Sequence, residues 1–293
     1  MSKIKLFDPY TNKLEKIAIN QVLESKFWAS GAGNGNVKKF EEKFSKYVNS
    51  KSSVAVNSGT AALNLALSMY DIKNKEVILP SLSFVATANA IVENGGIPKF
   101  VDINEKTLCI EPEKILDSIS NKTKVILPVH FGGFSSDLTE ISKICKKNKI
   151  HLIEDAAHST GATYKNKKIG SHGDLVCFSF HPVKNLAMPT GGLIAINSKN
   201  YKKIEKILKE KRWCGITNRE GVNYDVKNIG WNYYMNEFSA AIGLEQLKKL
   251  NHTNNRRKQI AKIYSKKIQI EKKMLFDNEC SYHFYWIRVK NRE

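Results

Sequence analysis

Two residues able to hold a carbonyl cofactor stand at the ends of neighbouring apolar runs. Asp155 closes the run Ile150, Leu152, Ile153, and Lys184 follows the run from Asp174 to Phe180 by way of His181-Pro182-Val183. Short apolar runs bounded by polar, glycine-bearing turns read as buried strands. In open α/β sheets, ligands bind outside the carboxyl ends of the strands. A carboxylate and a lysine delivered there suggest a pyridoxal phosphate (PLP) site, with the lysine holding the cofactor as a Schiff base and the acid paired with the pyridinium nitrogen. An ionised Asp155 keeps that nitrogen protonated, so that the ring accepts the electrons of a carbanion. Lys184 needs a partly deprotonated amine, which a confined site near other positive charge supplies. Once freed, the same amine can carry a proton between substrate and cofactor. Taken singly, Lys184 reads as a surface charge and Asp155 as a turn or capping aspartate.

Upstream, Ser53–Val56 reads as a strand that turns through Asn57-Ser58-Gly59-Thr60 into a helix over 61–70. The first-turn amides of a helix lack helical partners, and the macrodipole favours a phosphate beside them. Any strand–helix junction has this character, since Ser and Thr cap helices generally; the acid and lysine downstream give it meaning here. Further strands are expected at 76–79, 99–102 and 124–129, and helices at 112–119 and 137–147. Strands alternating with helical patterns predict a mainly parallel, doubly wound sheet. Phe84 reads as core from pattern alone. The glycine-rich run from Gly31 to Gly35 lacks the preceding strand and the spacing of a dinucleotide fingerprint. His130, His172 and His181 have no ligand-spaced partners, so no metal site is implied. Past 192–196, helices are expected at 201–212 and 237–249. The latter resumes after a break at Asn251 as a helix over 256–267, and Tyr282–Val289 alternates as a strand.

The 293 residues can bury a large core and carry a formal net charge of +19. Such a charge suits phosphate-bearing ligands or nucleic acid. The lysines are spread over many expected helices rather than gathered in one arm, which reads as a solvated surface. Five cysteines, at 109, 145, 177, 214 and 280, form no CxxC pair and suggest reduced thiols rather than a disulfide framework. No apolar run would span a bilayer, and the first residues lack a signal peptide's apolar core. A cytoplasmic enzyme is the expectation.

Three motifs carry a family resemblance. Glu154-Asp155-Ala156-Ala157-His158, the run from Phe178 through Lys184 to Asn185, and Gly230-Trp231-Asn232-Tyr233-Tyr234-Met235-Asn236-Glu237 are similar to the DegT/DnrJ/EryC1/StrS family of nucleotide-sugar aminotransferases. The likeness runs from about Gly31 to the last residues. It implies PLP-dependent transferase fold type I, the aspartate aminotransferase-like α/β architecture: a mainly parallel sheet flanked by helices, plus part of a small C-terminal α+β domain. Residues 1–248 would form the large PLP-binding domain with its N-terminal arm, and 249–293 the start of the small domain. The resemblance makes Lys184 and Asp155 catalytic. It gives Thr60, Ala61 and Ser179 to the cofactor's phosphate, Phe84 to stacking on its ring, and His158 to the ring hydroxyl. Asn232 would reach the phosphate of the other subunit's cofactor in a homodimer. Tyr234 stands where relatives carry arginine, which leaves that contact unassigned. Relatives continue for several more elements, so the sequence is expected to be C-terminally truncated.

The function implied is transfer of an amino group, from glutamate, to a nucleotide-linked keto-sugar for polysaccharide or glycoconjugate synthesis. Members that act as sugar dehydratases replace the lysine with histidine, and this chain keeps the lysine. The alternatives are another fold type I PLP enzyme, an amino-acid aminotransferase or a sugar dehydratase, and a non-catalytic regulatory or nucleic-acid-binding protein. No helix-turn-helix or clustered basic arm supports the last.

Overall fold

The computed structural model of the chain describes residue 5 and residues 8–290. Its strands, in chain order, are β1 (Ser52–Val56), β2 (Glu76–Pro80), β3 (Ile97–Val101), β4 (Thr123–Ile126), β5 (His151–Asp155), β6 (Thr163–Tyr164), β7 (Lys167–Lys168), β8 (Leu175–Ser179), β9 (Gly192–Ile196), β10 (Ile216–Glu220) and β11 (Asn223–Val226). Seven of them form one sheet in the order β1-β9-β8-β5-β4-β2-β3. Every neighbouring pair is parallel except the two that involve β9. β8 and β9 therefore make a wide hairpin, and the loop joining them carries Lys184. The mainly parallel sheet expected from the sequence is present.

Alternation along the strands sorts the core into layers. Val54, Ile153, Leu175, Cys177 and Ile194 face one side, where α3 (Gly59–Leu67), α4 (Val85–Glu93) and α7 (Tyr201–Lys211) contribute Leu65, Ile91 and Leu208. Ala55, Val176, Phe178, Leu193 and Ala195 face the other side. There α2 (Asn36–Val48) brings Phe40 and Phe44, and α8 (Glu237–Lys267) brings Ala240 and Leu244. On the same side, towards β4 and β2, α5 (Pro112–Ser118) and α6 (Leu138–Asn148) bury Ile115, Ile141 and Ile144. An N-terminal helix, α1 (Lys13–Ser25), is closed at its start by an Asn12–Glu15 capping box.

β1 lies at the sheet edge, where unpaired backbone groups are a liability. A buried ion pair completes it. The Arg212 Nη1 donates to Glu41 Oε1 at 2.5 Å and to the Ala55 carbonyl at 2.8 Å, while Glu41 Oε1 accepts the Ala55 N–H at 2.8 Å. Beyond β1, the Asn57 N–H donates to the Tyr233 carbonyl at 2.7 Å, and Tyr234 pairs with Val56.

Two local expectations fail. No break occurs at Asn251: α8 is one helix of 31 residues. Its low-propensity asparagines are offset by tertiary bonds, since Asn251 Oδ1 accepts from the Tyr47 hydroxyl and Asn254 Nδ2 donates to the Thr160 carbonyl. The 282–289 segment does not form a strand. Tyr282 takes a left-handed φ of 48°, and the backbone of Ser281 and His283 bonds to Gly133 and Gly132 in a loop. Within this segment Ile287 pairs with Lys273 as an isolated bridge. Among the described residues, no helix is long and apolar enough to cross a membrane.

Arg212 is fully buried. Replacing it with methionine leaves the Ala55 carbonyl without this donor and the buried Glu41 without its guanidinium, with only the Ala55 N–H and Lys209, 3.8 Å away, beside it. We expect a loss of about 3 kcal/mol, the low end for breaking a buried pair, read from the urea midpoint of unfolding.

Candidate active site

The parallel strands end on one side of the sheet, and a cavity of about 480 Å³ opens there. Thr60, Phe84, Asp155, His158, Ser179 and Lys184 all line it. Six side chains named from the sequence, carried by the chain from 60 to 184, thus meet in one place.

Asp155 ends β5 and is 4% exposed. Its Oδ2 accepts from the Thr87 hydroxyl at 2.9 Å, and its Oδ1 accepts the Ala157 N–H at 3.1 Å. Burial pushes its pKa above the ordinary carboxylate value, against the pull of those two bonds and of the Lys184 charge. Lys184 moves the opposite way. Burial lowers its pKa, and the Asp155 charge partly restores it. The two groups thus sense each other across the cavity while both are withdrawn from water.

Lys184 sits in the β8–β9 loop, where its N–H donates to the His181 carbonyl at 2.8 Å. The next residue pins the loop. Asn185 Nδ2 donates to Asn254 Oδ1 on α8 and to the Ser281 carbonyl, both at 2.8 Å.

The cup at the start of α3 is built by close approach. A Cβ on Gly59 would lie 2.6 Å from Ser179 Cβ, and one on Gly192 would lie 2.2 Å from the Ser58 carbonyl oxygen. Only glycines let β8, β9 and the β1–α3 turn converge this tightly. Ser58 caps α3, its Oγ accepting the Ala61 N–H at 3.1 Å. Ala61, assigned to the phosphate by resemblance, is buried, and its amide bonds to Ser58 Oγ. Phe84 is 70% exposed at the cavity, which rules out a core role. A flat hydrophobic face left open beside the lysine fits a planar ring.

His158 lines the same cavity. Burial, reinforced by the Lys184 charge, pushes its pKa down to about 3, so its imidazole is neutral. Asn232 lies elsewhere. It is exposed, its carbonyl accepts from Asn57 Nδ2 at 3.2 Å, and it is absent from the cavity wall of its own chain. His130 is fully buried and structural. Its Nδ1 accepts the Ser136 N–H at 3.1 Å, so the neutral ring's proton lies on Nε2, 2.8 Å from Glu154 Oε2. Among the described residues, no cluster of three or more His, Cys, Asp or Glu could hold a metal ion.

Sequence reasoning missed Thr87, Ser58 and Thr190 as part of this site. Thr87 had a signal: it follows Phe84 by one helical turn, so both reach the same wall. The Ser83 hydroxyl donates to Thr87 Oγ1 at 2.6 Å and extends the chain of bonds to Asp155.

The residues fit PLP: an amine whose pKa burial lowers, a buried carboxylate fixed by two donors, a helix-start cup and an open aromatic face. Comparison with known proteins agrees. GDP-perosamine synthase of Escherichia coli O157:H7 is 35% identical, over 98% of this chain and 77% of that protein. An uncharacterized protein of Methanocaldococcus jannaschii, MJ1066, is 39% identical over 79% of this chain and 61% of its own length. The chain thus spans between 61% and 77% of these two relatives. Spr1654 of Streptococcus pneumoniae, in its PLP form, superposes with a TM-score of 0.92 at 27% identity, covering 99% of this chain and 79% of that one. The fold is that of the PLP-dependent sugar aminotransferases. A family model described as the DegT/DnrJ/EryC1/StrS aminotransferase family matches residues 9–293. The chain belongs to the DegT/DnrJ/EryC1/StrS aminotransferase family.

Proposed function

We propose that this chain is a PLP-dependent aminotransferase that passes an amino group from glutamate to a nucleotide-linked keto-sugar. The observation that carries the reading is the meeting of Lys184, Asp155 and the α3 cup in one cavity. When bound, PLP supplies the carbonyl that exchanges amines and the ring that accepts electrons. The protein supplies the rest. Lys184 Nζ, its pKa lowered by burial, would attack a carbonyl and afterwards move a proton within the site. Asp155, fixed by Thr87 and Ala157, presents a carboxylate to a ring nitrogen. Thr60, Ser179 and the start of α3 would hold a phosphate, with Ala61 buried in the same turn, and Phe84 would cover one ring face.

Two copies complete the site in this reading. Asn232 is exposed outside its own cavity, as a residue serving a neighbour's phosphate would be. Exposed Trp28 and Phe27 offer apolar surface for a homodimer contact. The net charge of +19 favours an anionic nucleotide-sugar. Residues 249–293 would begin a second, smaller domain, and the cytoplasm is the expected compartment. An amino-acid aminotransferase of the same fold is the competing reading. Parallel assays with keto-sugar and keto-acid acceptors separate the two, and amination of the keto-acid alone would replace the sugar assignment.

Mixed with PLP, the protein should turn yellow, and borohydride should fix the cofactor on the Lys184 peptide. Glutamate should bleach the colour, and Lys184→Ala should abolish trapping. An adduct on another lysine would contradict the assignment.

Thr87→Val removes one bond from a buried carboxylate. Weakening of PLP binding by about tenfold, or about 1.4 kcal/mol, is expected in an absorbance titration. The loss also raises the Asp155 pKa further. A folded pKa above the unfolded one gives stability that is present below the unfolded value and lost as pH rises through the folded value. The cofactor-free variant should therefore regain stability relative to the unsubstituted protein as pH falls from neutrality into the acid range.

A further inference from the structure

The segment from Cys280 to Phe284 stands behind the cavity and touches both loops that carry its chemistry. The Ser281 carbonyl accepts from Asn185, next to Lys184, and the Ser281 hydroxyl donates to the His158 carbonyl at 3.1 Å. His283 then lays its ring on that of His158, with centroids 4.6 Å apart and planes 24° from parallel. Its backbone is fixed on both sides. The His283 N–H donates to the Gly132 carbonyl at 2.9 Å, and its own carbonyl accepts from Arg257 Nη1 at 3.1 Å.

Gly132 also holds His158 directly, its N–H donating to His158 Nδ1 at 3.4 Å. Phe131 and Phe284 close the sides of the His158 ring edge-on, at 5.8 Å and 5.4 Å. A neutral imidazole whose Nδ1 accepts must carry its proton on Nε2. The 3.4 Å bond is long and depends on the ring staying in one plane. His283 supplies the flat face that keeps it there.

We propose that His283 is a positioning residue: stacked on His158, it holds that ring in the Nε2–H tautomer and so presents a fixed hydrogen-bond donor to the cavity. Its use in catalysis rests on the aminotransferase reading, in which His158 meets the cofactor's ring hydroxyl. The tautomer itself belongs to the cofactor-free chain and is tested there.

The experiment is a long-range proton–nitrogen NMR spectrum of the full chain labelled with ¹⁵N-histidine, without cofactor. The His158 signals are assigned by their loss in His158→Asn. We expect His158 wholly as the Nε2–H form. His283→Leu, which fills space without a flat face, should shift the tautomer ratio about fivefold towards Nδ1–H, the worth of one neutral hydrogen bond. His283→Phe, which keeps the face, should leave the ratio unchanged. A mixed or Nδ1–H form in the unsubstituted protein overturns the proposal, and so does a His283→Leu spectrum matching it. Should His283→Leu not fold, His283→Asn takes its place with the same expected shift. Failure of the unsubstituted protein to bind PLP in a parallel absorbance titration overturns the aminotransferase reading and leaves the tautomer result to be judged separately.

Discussion

Withdrawal of two ionisable groups from water in one cavity is the constraint on which this structure turns. Burial penalises the charged form of each, which drives Lys184 towards the free amine and Asp155 towards the neutral acid. Their mutual attraction opposes both shifts. A free amine beside a carboxylate fixed by Thr87 and Ala157 is the combination that a carbonyl cofactor with a basic ring nitrogen requires. The rest of the fold serves to hold these groups dry and in place. The reversed strand β9 keeps the β8–β9 loop at the carboxyl ends of the parallel strands, and Gly59 and Gly192 let the α3 cup close against it.

Much of this was legible in the sequence because it is local. The strands of the sheet announced themselves as apolar runs, and Asp155 and Lys184 stand next to such runs. Phe84 illustrates the limit of pattern. Its surroundings in sequence suggested core, whereas it is 70% exposed at the cavity. The helix break expected at Asn251 rested on local propensity, which tertiary bonds from Tyr47 and to Thr160 override. The strand expected over 282–289 had the right alternation but no sheet edge to join. Its neighbours are the loop glycines Gly132 and Gly133, so it became a brace instead. Arg212 and His283 left no trace in local pattern, because their partners, Glu41 and His158, lie far off along the chain.

The cationic surface follows the same division. Several lysines sit in exposed pairs one helical turn from an acid, such as Lys143 with Glu140 and Lys248 with Glu245. Pairs of that kind contribute little to stability. Lys249, by contrast, is largely buried against Glu15 and ties the N-terminal helix α1 to α8. Charge count alone could not separate these roles; burial does.

The account stands or falls on the state of the Lys184 amine before any cofactor binds. Reductive methylation with ¹³C-formaldehyde, followed by an NMR titration of the dimethyl-lysine signals, reads that state residue by residue. The Lys184 signal, assigned from Lys184→Arg, should titrate well below the exposed lysines. It should move lower still in Asp155→Asn, where the restoring charge is gone. A Lys184 that titrates with the surface lysines, or one that rises when Asp155 is neutralised, would contradict the account.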